Sequence, residues 1–129
     1  MRDFWLFVYV ATGGACGSLA RFAISNFAAR HLGSGFPWGT LLANLSGCFV
    51  IGILLALVES WALTPTTKAA VVAGFLGSLT TFSTFSWETM AAFQRGHQGV
   101  AFSNLAINIV GGLIAVWLGM AVAERISGS

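Results

Sequence analysis

Charges are absent from most of this chain, and the gaps between them decide what it can become. Residues 4–20, 32–58, 69–87 and 98–123 carry no Lys, Arg, Asp or Glu, giving uncharged runs of 17, 27, 19 and 26 residues. A helix needs about 20 apolar residues to cross roughly 30 Å of hydrocarbon, so each run has the length of one membrane span. The four crossings consume nearly all of the 129 residues. Composition agrees: 57% of the side chains are apolar or aromatic and 8% are charged, with a mean hydropathy of +0.84. Water cannot be the solvent of such a chain. The sequence therefore predicts an all-α membrane protein, residues 1–129 forming a single four-span domain. The spans are expected near residues 4–30, 37–60, 67–94 and 99–123. The connections are too short to fold alone, so the chemistry lies within the bilayer.

The first run is read as an uncleaved span, because three further spans follow it and no soluble domain does. Cys16 and Cys48 both lie in apolar runs and read as small buried hydrophobes. Four spans would put Arg2, Lys68 and Arg125 on one side, with Arg21, Arg30 and Arg95 on the other. That balance predicts weak orientation, since an excess of Lys and Arg normally fixes the cytoplasmic face. A chain inserted both ways can pair with its inverted copy as an antiparallel homodimer.

Polar residues within the runs are few and patterned. Arg21 follows the first run directly, where it either snorkels to the interface or gathers anions at a pore mouth. In the second span Thr40, Asn44, Gly47 and Ile51 share one helical stripe, and Asn44 suits either an interhelical hydrogen bond or a ligand contact. Asn104, Asn108, Gly112 and Ala115 form a similar stripe in the fourth span. The third span is the most unusual. From Gly77 to Thr89, nine of thirteen positions are glycine, hydroxyl or acid, close to the bilayer midplane. Irregular backbone at that depth survives only where protein buries it or water lines it, and freed carbonyls there can bind a cation. A broken third helix is expected; the alternative is a continuous helix whose hydroxyls bond back to the preceding turn.

Phe82 and Phe85 stand three apart in that run, with Ser83 and Thr84 between them. The edge of an aromatic ring carries partial positive charge and can meet an anion. Glu88 is the one acid of the run, suited either to function or to hydrogen bonding with the broken backbone. Neither phosphate-loop, zinc nor catalytic nucleophile motifs occur, so no enzyme is expected. Neutral donors along a path suit an ion that must shed water briefly without being trapped by a full charge. Passive conduction fits better than proton-coupled pumping, which needs several buried acids or histidines.

Three segments carry a family resemblance. GGACGSLARF at 13–22, PWGTLLANLSG at 37–47 and GFLGSLTTFSTFSWE at 74–88 resemble the signature segments of the Fluc/CrcB fluoride channels, in order along the chain. The TTFSTFS core at 80–86 is the most specific of them. The resemblance implies a dual-topology antiparallel dimer of four-helix subunits in the cytoplasmic (inner) membrane. It would export fluoride passively through two pores, lowering the internal concentration. The implied partners are fluoride, a second copy of the chain and membrane lipid, with no nucleic acid. By motif position Phe82 and Phe85 would supply ring edges and Asn44 an amide donor. Ser83 and Thr84 would form a hydroxyl track and Arg21 the vestibule cation. Main-chain carbonyls of Gly77 and Thr80 would hold a structural sodium ion at the dimer interface. Asn104 and Asn108 join the pore set, at positions where relatives often carry tyrosine, serine or other polar residues. Ser78 likewise replaces a common glycine. Two rivals explain less: a small multidrug exporter needs a first-span glutamate that residues 4–20 lack, and a purely structural bundle leaves the midplane hydroxyls without a purpose.

Overall fold

A computed structural model describes residues 2–61 and 64–128, with side chains from residue 4 onward except those of residues 58–61. Ala62 and Leu63, in the expected second connection, lie outside the described residues. Four long apolar helices make up the rest. The first, α1 (Arg2–His31), is followed by Gly33, whose φ of +78° supplies the left-handed turn a side chain would resist. Next, α2 (Trp38–Trp61) begins directly after Pro37, a residue suited to a helix start because it has no amide hydrogen to leave unpaired.

The third crossing, Pro65–Gln94, is built in pieces. Its first half, α3 (residues 65–79), joins a turn at Pro65–Lys68, a wide π-helical stretch at Ala69–Leu76 and a final turn at Gly77–Leu79. The second half, α4, spans Phe82–Gln94. Gly96, again with a φ of +78°, turns the chain into the last crossing, α5 (Gln98–Ser127), which carries a π-helical turn at Ile107–Gly111.

Glycine sets how these helices meet. A methyl group on Gly13 or Gly17 of α1 would lie 2.1 Å from the carbonyl oxygen of Ala70 or Phe75, so α1 presses directly on the backbone of α3. On the other side, Gly52 of α2 and Gly119 of α5 face one another, and a methyl on either would stand within 2.3 Å of the opposite backbone. Lipid offers no hydrophobic drive for helices to associate, so such close approach, with its dispersion and weak polar contacts, holds the bundle. Leu41, Ala43, Leu57, Leu76, Leu79 and Phe85 fill the interior. The large outward side chains, Phe7, Phe22 and Trp117 among them, face away from it, as suits a bundle dissolved in acyl chains.

Candidate functional site

The third crossing breaks at its midpoint. Thr80 (φ −82°, ψ 154°) and Thr81 (φ −150°, ψ 112°) are both extended, and the helix resumes at Phe82. The expected interruption is therefore present, confined to two residues. Thr81 caps the new helix, its Oγ1 accepting from the amide of Thr84 at 3.2 Å.

A break at this depth strands peptide groups that lipid cannot satisfy, at a cost of several kcal/mol each. Asn44 meets that need from α2. Its Oδ1 accepts the Thr81 amide at 2.8 Å, while its Nδ2 donates to the Thr81 carbonyl at 3.3 Å. One side-chain amide thus brackets one backbone residue. The same Nδ2 also donates to Asn108 Oδ1 at 2.9 Å. From there Asn108 donates to Asn104 Oδ1 at 2.8 Å, and Asn104 donates to Thr89 Oγ1 at 2.8 Å. The interhelical role open to Asn44 in the sequence is the one seen within the chain.

Hydroxyls divide into two sets. Thr80, Ser86 and Thr89 bond back to the carbonyls of Leu76, Phe82 and Phe85, each four residues earlier. Thr81 Oγ1 instead donates to Thr84 Oγ1 at 3.0 Å and stands 3.3 Å from Ser83 Oγ. Ser83 and Thr84 themselves are exposed on the flank of α4.

Two hollows meet at the break. A groove of about 360 Å³ is lined by Asn44, Asn108, Thr80, Thr81, Phe82 and Phe85, with apolar side chains of α2, α3 and α5 around them. The Phe82 and Phe85 rings lie 5.5 Å apart at 57°, Phe85 buried at 4% exposure and Phe82 standing out at 78%. A second cleft, of about 300 Å³, holds Arg21, Ser18, Ser25, Thr40, Thr81 and Thr84. Thr81 borders both. Asn104 is fully buried and lines neither.

Sequence reasoning missed two partners. Thr40 Oγ1 donates to Glu88 Oε1 at 2.9 Å, which ties the one acid of α4 to α2. Its other oxygen, Oε2, is shielded and has no hydrogen-bond partner among the described residues. Thr40 headed the stripe that contains Asn44, but the rotation of α4 that brings Glu88 to it is invisible in sequence. Thr89, the far end of the asparagine series, stood undistinguished within the hydroxyl run.

The sodium ion expected at Gly77 and Thr80 is a correction. Among the described residues no three His, Cys, Asp or Glu side chains converge on a common point. At the break, Leu76 O takes both the amide and the hydroxyl of Thr80, and Asn44 takes the peptide N–H and C=O of Thr81. A metal-binding role is not supported.

A four-span bundle with a midplane helix break, walled by neutral donors and an aromatic pair, is a membrane transport protein by architecture. Comparison with known proteins makes the assignment particular. Residues 8–120 match the family described as CrcB-like protein, Camphor Resistance (CrcB). Proteins named fluoride-specific ion channel FluC are similar along most of the chain. The one from Acidobacterium capsulatum is 42% identical over 121 residues, covering 93% of this chain and 97% of that protein. The one from Shewanella loihica is 46% identical over 112 residues, 87% of this chain and 90% of that protein. The Methylococcus capsulatus protein is longer: 46% identity over 119 residues covers 92% of this chain and 52% of that protein. The chain belongs to the CrcB-like family. It is a multi-pass inner-membrane protein and not an enzyme.

Proposed function

We propose that the chain is a fluoride-selective channel that lets fluoride leave the cell passively through two pores of an antiparallel dimer. The observation that carries this reading is the groove at the helix break, where an aromatic pair and amide donors stand together at mid-membrane depth without a formal charge. The names of the relatives support it. Fluoride is small and tightly hydrated, so donors must replace its water, and they must do so without the full positive charge that would hold it fast.

In this reading Phe82 and Phe85 offer their ring edges to the ion, and Asn44 supplies an amide hydrogen with Asn108 and Asn104 behind it. Ser83 and Thr84 continue the track along α4, and Arg21 concentrates anions at the mouth of the cleft. Each group interacts weakly, as passage requires.

The dimer follows from what one subunit leaves open. Ser83, Thr84 and Phe82 are exposed beside the break, and hydroxyls at that depth are poorly matched to acyl chains. A second copy, inverted in the membrane, would cover the same strip on both subunits by two-fold symmetry and so generate two equivalent pathways. The near balance of cationic residues between the two sides supports that arrangement.

Purified protein in liposomes loaded with fluoride or chloride, read with ion-selective electrodes, tests the proposal. Fluoride should escape down its gradient without a proton gradient, with chloride retained. Release of both ions would remove the selectivity, and a requirement for a proton gradient would replace the channel with an exchanger.

A further inference from the structure

Beyond the Arg21 cleft lie two more hollows, and the three follow in order. The cleft itself, bordered by Thr81 and Thr84, begins at the helix break. A hollow of about 240 Å³ shares Ser25 and Thr40 with it and is also bordered by Ser34, Pro37 and Glu88. Another, of about 270 Å³, shares Ser34, Phe36, Pro37 and Glu88 with that one and reaches Arg95 and His97. Each is roomy enough for several waters.

Two helix faces give this order its direction. Thr84, Glu88 and Ala91 of α4 and Arg95 just beyond it recur at steps of four, three and four, so one stripe borders the three hollows in turn. On α1, Ser18, Arg21, Ser25 and Ala28 recur at three, four and three and border the first two. Both helices lead to the turns at residues 33–36 and 95–97, which border the last hollow together. From Thr84 to Arg95 the rise is roughly 16 Å, about half the thickness of a hydrocarbon core.

The lining is polar and open. Ser18 and Ser25 have no hydrogen-bond partner among the described residues, whereas Thr12 of the same helix bonds back to Val8 O at 2.8 Å. Their hydroxyls are free to meet water or an ion. One carboxylate stands along the way, that of Glu88, with Oε1 held by Thr40 and Oε2 shielded. Arg21 borders the first hollow and Arg95 the last, and neither forms an ion pair among the described residues. Two cations against one engaged acid favour an anion.

We infer that these hollows are one passage by which fluoride moves between the helix break and water, and that Arg95 gathers the anion at its outer end. The inference rests on the conduction reading for the identity of the ion, but the wetness of the passage is a separate observable. One subunit supplies it towards one face of the membrane. In the proposed antiparallel pair, the inverted copy would supply the same passage towards the other face.

Ala91 borders the last hollow, while its neighbour Met90 faces outward at 55% exposure. With the protein in liposomes and an anionic, water-soluble methanethiosulfonate on both sides, Ala91→Cys should label about tenfold faster than Met90→Cys, because a thiol in apolar surroundings resists forming the reactive thiolate. The unsubstituted protein gives the background from Cys16 and Cys48. Equal rates, or faster labelling of Met90→Cys, would overturn the passage whether or not the wild type conducts. The sulfonate attached at Ala91→Cys should then lower fluoride efflux by about tenfold, since it places bulk and negative charge in the route. Undiminished efflux from the labelled protein would mean that the ion leaves another way. Arg95→Gln should lower efflux by about threefold at an ionic strength of about 10 mM and match the wild type in about 1 M of an impermeant salt, which shortens the screening length from about 30 Å to about 3 Å. Arg95→Lys keeps the charge and should match the wild type throughout. A loss in Arg95→Gln that salt leaves unchanged, or no loss at all, would remove Arg95 from the mouth. Wild-type liposomes that retain fluoride would strike at the conduction reading alone. Should Ala91→Cys not elute as folded protein, Ser25→Cys against the outward-facing Phe27→Cys makes the same comparison on α1.

Discussion

Two phenylalanines one helical turn apart play unequal parts. Phe85 is packed inside the bundle, while Phe82 projects from it, yet their rings remain in contact at 5.5 Å. Replacing either ring with isoleucine keeps an apolar side chain of adequate bulk and removes the electropositive edge. In the conduction reading, Phe82→Ile and Phe85→Ile each lower fluoride efflux by on the order of tenfold or more, with elution of the folded protein unchanged. The exposed Phe82 tolerates the exchange with less effect on stability, because isoleucine there disturbs no packing within its own subunit. Undiminished efflux in both variants would remove the ring edges from the pathway. At this scale the sequence was legible in part. The phenylalanines and Asn44 stood out because such side chains are unusual among midplane hydroxyls. The pairings of Thr40 with Glu88 and of Asn104 with Thr89 did not stand out, because they depend on how each helix is rotated about its axis.

Helices that meet through glycine depend on the absence of a side chain. Gly52 and Gly119 hold α2 against α5, and this contact carries Asn44 to within reach of Asn108. A methyl group on Gly52 would lie 2.3 Å from Val116 O, and one on Gly119 would lie 2.2 Å from Phe49 O. The helices must then move apart. Overpacking of this kind costs about 1–3 kcal/mol, so Gly52→Ala and Gly119→Ala should each lower the thermal midpoint followed by fluorescence-detected elution. Gly99, with nothing within 4 Å, is the control: Gly99→Ala should be neutral or slightly stabilising. A Gly52→Ala protein as stable as the wild type would show that the helices adjust freely. The helix break was legible at this scale because hydroxyls and glycines crowded at the midplane cannot all face lipid. The sodium ion was misjudged for a related reason: a sequence announces freed carbonyls and amides but not whether another helix supplies their partners. Here Asn44 supplies those of Thr81, which it can reach because α2 packs alongside both halves of the third crossing. The π-helical turns at Ala69–Leu76 and Ile107–Gly111 left no mark in the sequence, since they shift the phase of the side-chain stripes without altering composition.

For the molecule in its membrane, insertion is a contest between few charges. Arg21 sits within α1 and lines a cleft between helices, so it is not a loop residue of the kind that sets orientation. Lys68 and Arg125, with Arg2, then oppose Arg30 and Arg95, and neither side has a clear excess. In the proposed antiparallel pair, a chain so balanced would enter the bilayer both ways. That requirement gives a test independent of any pore residue. Adding a few lysines to the turn at residues 33–36 should commit every chain to one orientation, and adding them near Thr66 should commit every chain to the other. Each variant alone then lacks an inverted partner and should restore little fluoride resistance to cells that have no other fluoride exit. Expressed together, the two supply both orientations, and resistance should return towards the wild-type level. Full resistance from either variant alone would mean that parallel chains or single subunits conduct, and the antiparallel dimer would have to be abandoned while the groove at the helix break remained.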